Sequence, residues 1–177
     1  MTERIVIAGF GGQGALTMGY VIAALYLNRG MNVTWMPSYG AEMRGGTANC
    51  SVIASDNVIG SPIVAKDADV IIAMNSPSLD KFEAMAAPGG HIITNTSIIT
   101  REVARLDVKI LKADATNIAV ELKNPRVQNM VMLGAYLTLR PDFTDAEIKD
   151  ALADRFGKDS QLLPLNIEAV RRGKISV

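Results

Sequence analysis

Glycines at positions 9, 11 and 14, in the run Gly9-Phe10-Gly11-Gly12-Gln13-Gly14, carry the most direct chemical meaning in this chain. A Cβ there would block a tight turn and hold backbone N–H groups away from an anion, so glycine lets the main chain close on a pyrophosphate. The chemistry implied is binding. Around the turn the chain offers Gln13, Ser38, Tyr39, Glu42, Arg44 and Asn75, and neither His nor Lys. Gln, Ser and Asn hold and orient a ligand, whereas hydride or acyl chemistry needs an acid, a base or a nucleophile beside it.

The elements that must position this turn follow from the apolar pattern. Arg4 to Ala8 reads as a buried parallel strand, continuous in Ile and Val. Gly14 to Arg29 reads as a helix apolar nearly all round, and so buried on more than one side, with Gly30 to end it. Met31 to Met36, closed by Pro37, is the second strand of a right-handed βαβ crossover. Ser38 to Thr47 has three glycines and no clear period, and follows the carboxyl end of that strand, where ligands bind in open α/β sheets. Ala48 to Ser55 reads as a strand, and Asp56-Asn57 as a turn into Val58-Ile59, a hairpin inserted into a parallel pattern. Further strands are expected over 69–74, 91–95 and 108–112. Helices are expected from Ser76-Pro77 (cap and first position) to Ala87, over 114–123 and 127–139, from the capping box Thr144-Asp-Ala-Glu147 to Gly157, and over 166–172. The expectation is one α/β domain over residues 1–177: Rossmann-like, with a mostly parallel sheet, helices on both faces and an inserted β-hairpin.

Composition bounds the function. Eighteen basic and 18 acidic side chains cancel, so neither nucleic acid nor an acidic membrane surface is an expected partner. From Met1 to Gly60 the acids are Glu3, Glu42 and Asp56 and the bases Arg4, Arg29 and Arg44. So charge-poor a first third is buried either in the domain, as a doubly wound sheet would bury it, or against a partner. Cys50 is the only cysteine and His91 the only histidine, too few for an iron–sulfur cluster, a structural zinc or a catalytic metal. Cys50 and the methionines read as core, and His91 as a surface or turn residue. Glycines interrupt the first apolar run and no basic leader precedes it, so a cytoplasmic protein is expected.

A nicotinamide or flavin dinucleotide would require an acid at the end of the second strand to hold the ribose hydroxyls. That strand ends Thr34-Trp35-Met36-Pro37-Ser38, and no acid lies between Glu3 and Glu42. Arg44 is the one base placed for an NADP variant. A stand-alone NAD(P)-dependent dehydrogenase and a non-enzymatic nucleotide-binding module are therefore the alternatives.

At Gly9 to Gly14 and at Ser38-Tyr-Gly-Ala-Glu-Met-Arg-Gly-Gly-Thr47, the sequence resembles the gamma subunits of 2-oxoacid:ferredoxin oxidoreductases. These enzymes convert pyruvate, 2-oxoglutarate or branched-chain oxoacids to acyl-CoA. The resemblance continues through Val70–Asn75, Asn95-Thr-Ser97 and Asn129–Gly134, most of the chain. It implies a subunit inactive alone, contributing to coenzyme A binding and to assembly with alpha and beta subunits and a ferredoxin-like delta subunit, with ferredoxin as acceptor. Thiamine diphosphate, magnesium and iron–sulfur clusters would belong to those partners. 2-Oxoglutarate or a branched-chain oxoacid is the expected substrate, and indolepyruvate enzymes carry a related module. Gly9, Gly11, Gly12 and Gly14 would approach the pyrophosphate, with Gln13 a donor at the turn. Arg44 would anchor a phosphate or an interface carboxylate. Tyr39, Gly45, Gly46 and Thr47 would shape the loop facing the thiamine-bearing subunits, with Asn75 and Asn129 as further candidates. Arg44→Ala is expected to raise the KM for coenzyme A or to disrupt assembly; unchanged coenzyme A kinetics in an intact complex would remove the ligand role.

Overall fold

A computed structural model describes residues 1–40, 46–158 and 160–177. Six strands, β1 (Thr2–Phe10), β2 (Asn32–Tyr39), β3 (Thr47–Ser55), β4 (Ala68–Ala73), β5 (Ala86–Asn95) and β6 (Lys109–Ala113), form one sheet in the order β2-β3-β1-β4-β5-β6. The helices are α1 (Ala15–Asn28), α2 (Ser76–Phe82), α3 (Ala115–Glu121), α4 (Gln128–Leu137), α5 (Asp145–Phe156) and α6 (Leu163–Ile175). β1, β4, β5 and β6 pair in parallel, β3 runs antiparallel to both β1 and β2, and β2 therefore points with the rest. One face of the sheet (Ile5, Ile7, Cys50, Val52, Val70, Ile72) packs on α1, α3, α4, α5 and α6. The other (Val6, Ala8, Ile53, Ile71, Ile92) packs on Leu79 and Phe82 of α2. Helices do cover both faces, as expected, but very unequally.

The inserted hairpin is β2–β3, not β3 with Val58-Ile59. Both edges of β3 are occupied, by β1 and by β2, so no ladder remains for Val58, which is exposed. β1-α1-β2 is accordingly a crossover between strands of the same direction that are not neighbours. Burial explains the placement: β3 carries Ala48, Cys50, Val52, Ile53 and Ala54 and can be covered on both faces, while β2 carries Asn32, Thr34, Pro37 and Ser38 and suits an edge. Pro37 does not close β2; the strand runs on to Tyr39, because a proline is tolerated on an edge. Asn75, not Ser76, caps α2, accepting the Ser78 amide at 2.9 Å. That helix stops at Phe82, not Ala87, because Ala86 already pairs with Ala68 of β4. α6 is longer than its sequence pattern, running through Gly173. His91 lies within β5, half-buried between Val70 and Lys109; burial first, then the Lys109 and Arg140 charges, depress its pKa.

At the amino end of β1, Glu3 is 1 % exposed and held by two helices. It accepts from the Tyr26 hydroxyl of α1, from the Tyr136 hydroxyl of α4 at 3.1 Å and from Arg140 Nε at 3.0 Å, with an Arg140 Nη2 ion pair besides. The two hydroxyls lie 2.8 Å apart. Burial, then the Glu3 charge, pushes both tyrosines above their ordinary pKa. Removing one partner of a buried ion pair strands the other. Arg140→Leu is therefore expected to cost about 3–5 kcal/mol, seen as a lowered urea midpoint with unchanged slope.

Candidate functional site

The opposite end of β1 carries the glycine turn. Gln13 N–H donates to the Phe10 carbonyl at 3.0 Å, closing it. Gly12 has φ +100° and Gly14 φ +82°, conformations that L side chains rarely adopt, and Gly14 is the N-cap of α1. A helix leaves its first amides without intrahelical partners. Gly14, having no side chain, caps none of them, so those of Ala15, Leu16 and Thr17 face the turn with the positive end of the helix dipole. A cleft of about 370 Å³ opens there, lined by Phe10, Gly11, Gly12, Gly14, Ala15, Leu16, Thr17, Tyr39 and Ala48. Backbone amides, apolar side chains and two hydroxyls suit it to holding an anion.

The structure joins the two glycine-rich stretches. Gly11 N–H donates to the Gly46 carbonyl at 2.8 Å, Phe10 faces Thr47 across β1–β3, and Gly40 N–H donates to the Thr47 carbonyl at 3.3 Å. Tyr39, 60 % exposed at the end of β2, reaches the cleft. Arg44 and Gly45, with Glu42 beside them, lie outside the described residues.

Gln13 and Asn75 act within the protein. The Gln13 Oε1 accepts from Phe10 N–H at 2.7 Å and from Asn75 Nδ2 at 2.7 Å, and its Nε2 donates to the Met74 carbonyl at 3.4 Å. The expected donor at the turn thus gives its N–H to β4, bracing the β1 turn against the neighbouring strand end. Gly9 permits this approach: a Cβ there would lie 3.0 Å from Gln13 Oε1 and 3.2 Å from Met74 Cβ. Gly11 uses its amide on Gly46, so among the expected glycines it offers space more than a donor. Asn129, in the first turn of α4, donates Nδ2 to the Gly14 carbonyl at 3.2 Å and pins the N-cap.

Sequence reasoning missed Phe10, Ala15, Leu16, Thr17 and Ala48 as lining. The first three amides after the last glycine were legible as helix-end donors; Phe10 and Ala48 depend on β3 pairing beside β1. It also missed Asn95, buried at the end of β5, whose Nδ2 donates to Thr116 Oγ1 at 2.9 Å.

Cys50 sits beneath the site and sets the height of α1. Its thiol donates to the Ala15 carbonyl at 3.6 Å, and a Cβ on Gly19 would collide with its sulfur. Burial pushes the thiol up to about 12, against the indole of Trp35, which lowers it. Among the described residues no group of three His, Cys, Asp or Glu could hold a metal, and no helix is long and apolar enough to cross a membrane.

Fold and site define a Rossmann-like α/β module whose first βα turn leaves the N-terminal end of α1 without a side-chain cap. The chain belongs to the pyruvate ferredoxin/flavodoxin oxidoreductase family, whose model matches residues 4–174. It is 36 % identical over 171 residues to the ketoisovalerate oxidoreductase subunit VorA of Methanothermobacter thermautotrophicus, covering 96 % of this chain and 35 % of that protein. It is 33 % identical over 166 residues to the 2-oxoglutarate synthase subunit KorC of Methanocaldococcus jannaschii, covering 91 % and 87 %. Among solved structures it resembles the 2-oxoglutarate:ferredoxin oxidoreductase of Magnetococcus marinus with 2-oxoglutarate, coenzyme A and succinyl-CoA bound. There the TM-score is 0.85 at 29 % identity, over 98 % of this chain and 30 % of that one. The chain thus spans about a third of some relatives and nearly the whole of others.

The raised Cys50 value fixes a sign. A thiol whose folded pKa lies above the ordinary 9.0 contributes stability that is complete below pH 9 and is lost as pH rises through about 12. Native protein is expected to resist iodoacetamide at pH 8 and to alkylate at Cys50 once unfolded in urea; rapid native labelling would contradict this burial.

Proposed function

We propose that this chain is the gamma-type, coenzyme-A-binding subunit of a 2-oxoacid:ferredoxin oxidoreductase. The complex would oxidatively decarboxylate a 2-oxoacid, release CO2, transfer the acyl group to the coenzyme A thiol and pass the electrons to ferredoxin. The observation that carries this reading is the open turn in which Gly12 and Gly14, both at positive φ, leave the first amides of α1 uncapped. Coenzyme A brings a diphosphate to such a place, and the helix end suits its charge. Family membership supplies the reaction class, and the coenzyme A in the Magnetococcus relative supports the ligand. Relatives named for ketoisovalerate and for 2-oxoglutarate fit a branched-chain oxoacid or 2-oxoglutarate as substrate.

Thiamine diphosphate with magnesium supplies decarboxylation in such a complex and iron–sulfur clusters carry the electrons. This chain does not fit the clusters: its one cysteine is buried against α1 and cannot make a cluster's thiolate set. Alpha and beta subunits, with a ferredoxin-like delta subunit, would hold those groups, in the cytoplasm. The gamma chain's own residues bind and orient. Arg44, between β2 and β3 in the sequence, would take a further phosphate or an interface carboxylate, and Tyr39, Gly45, Gly46 and Thr47 would shape the surface toward the partners.

Gly12 has open space where a Cβ would project. Gly12→Ala strains the turn by about 1–2 kcal/mol and puts a methyl in the ligand's path. In the assembled complex, oxoacid-dependent dye reduction is expected to show the KM for coenzyme A raised about tenfold with kcat nearly unchanged, the mark of lost ground-state binding. An unaltered KM would remove the diphosphate from this turn.

A further inference from the structure

β2 is an open edge of the sheet, and its pairing shows which of its backbone groups are unused. It runs antiparallel to β3, with Ser38 opposite Asn49, Met36 opposite Ser51 and Thr34 opposite Ile53. One step beyond Tyr39, Gly40 N–H donates to the Thr47 carbonyl at 3.3 Å. Hydrogen-bonded and non-hydrogen-bonded pairs alternate along such a ladder. The even-numbered residues of β2 therefore give their N–H and C=O groups to β3, and those of Val33, Trp35 and Tyr39 point away from it. Pro37 stands at an outward position too, where β3 does not need an N–H. No residue from Gly30 to Gly40 is charged, and the register against β3 runs unbroken from Asn32 to Tyr39. The edge thus lacks the charge and the bulge that usually keep a strand from pairing with another chain.

Its free part is self-complementary. With a second copy laid antiparallel about a two-fold axis at Thr34, Val33 of each chain falls opposite Trp35 of the other, and the two pairs make four N–H···O=C bonds. The next pair outward would join Met31 to Pro37. Pro37 has no N–H, and that of Met31 is already given to the Tyr26 carbonyl at 3.2 Å, so the ladder ends with no donor left over. Side chains agree with this register. Trp35, 39 % exposed and edge to face with Tyr20, would lie beside a Val33 on the α1 face, a favourable aromatic and β-branched pair. Thr34 would oppose Thr34. Its Oγ1 is buried without a hydrogen-bond partner among the described residues, and rotation about χ1 would let the two hydroxyls bond across the axis. Eight extended residues make an edge about 27 Å long, and a sheet with one helix layer is about 20 Å deep. Two such strips cover about 1,100 Å², just above the roughly 1,000 Å² a specific interface needs, which suits a reversible dimer.

We propose that β2 pairs with β2 of a second copy of this chain across a two-fold axis at Thr34, joining two six-stranded sheets into one. The pairing leaves the glycine turn open and does not depend on what binds there.

The test is sedimentation velocity of the full chain from about 1 to about 200 μM, a range that brackets the micromolar Kd expected of so small an interface. Residue-resolved amide hydrogen exchange accompanies it. A monomer–dimer equilibrium is expected, with exchange at Val33 and Trp35 slowed about tenfold or more in the dimer while Thr34 and Met36, bonded to β3 in both states, change little. Thr34→Lys sets two ammonium groups opposite each other, and Val33→Pro removes two of the four bonds through an N–H that β3 does not use. Each is expected to raise the dimer Kd about tenfold or more, with a urea midpoint near the parent's to show that the monomer is folded. Should one variant fail to fold, the other and the parent's exchange pattern decide. A chain that stays monomeric throughout overturns the pairing, as does a dimer that both folded variants leave intact or in which the Val33 and Trp35 amides exchange as fast as in the monomer. Protection of those amides only in the assembled complex would give the edge to another subunit and overturn it equally.

Discussion

The left-handed conformation of Gly14 is the constraint on which the site depends. A residue with a side chain would meet Asn129 and strain the backbone, and a Ser, Thr or Asp at this N-cap would satisfy the helix amides from within. Glycine does neither, so α1 begins with donors that only a ligand or water can satisfy. Asn129 holds the Gly14 carbonyl, Gln13 ties the turn to the end of β4, and Gly46 holds the Gly11 amide. The turn is shaped by side chains that never need to touch a ligand.

The two ends of β1 divide the work. At the amino end Glu3, Tyr26, Tyr136 and Arg140 lock α1 and α4 to the strand through a buried charge with every polar contact supplied from the protein. At the carboxyl end the same strand and helix leave amides unused. The charge-poor first third makes sense in that light: β1, most of α1 and β3 are core, and charge is admitted where Arg140 neutralises it. β2 is the exception, its Trp35, Met36 and Tyr39 exposed along a sheet edge that a monomeric protein would normally blunt.

The module occurs both within longer relatives and nearly alone. A single buried cysteine cannot supply the thiolate set of an iron–sulfur cluster. What the described residues do supply is a rigid turn, braced by Gln13, Asn129 and the Gly46 carbonyl, with the first amides of α1 left uncapped. The same module occupies 35 % of one relative and 87 % of another, so covalent connection to the rest of the enzyme is dispensable while the module itself is kept whole.

The sequence by itself determined the glycine turn, the strand before it and the helix after it, because steric demand for glycine and continuous β-branched burial are local properties. It also determined the family, through two glycine-rich stretches occurring together, and the unsuitability for clusters, through cysteine number. Tertiary structure alone decided that β3 lies between β1 and β2, since which edge of a sheet a strand joins depends on what both faces can be buried against. It decided that Gln13 and Asn75 brace each other across 62 positions of sequence, a hydrogen bond no spacing reveals. It likewise brought Tyr20, Trp35 and Arg155 together, because residues on a helix, an edge strand and a later helix meet only when packing fixes all three.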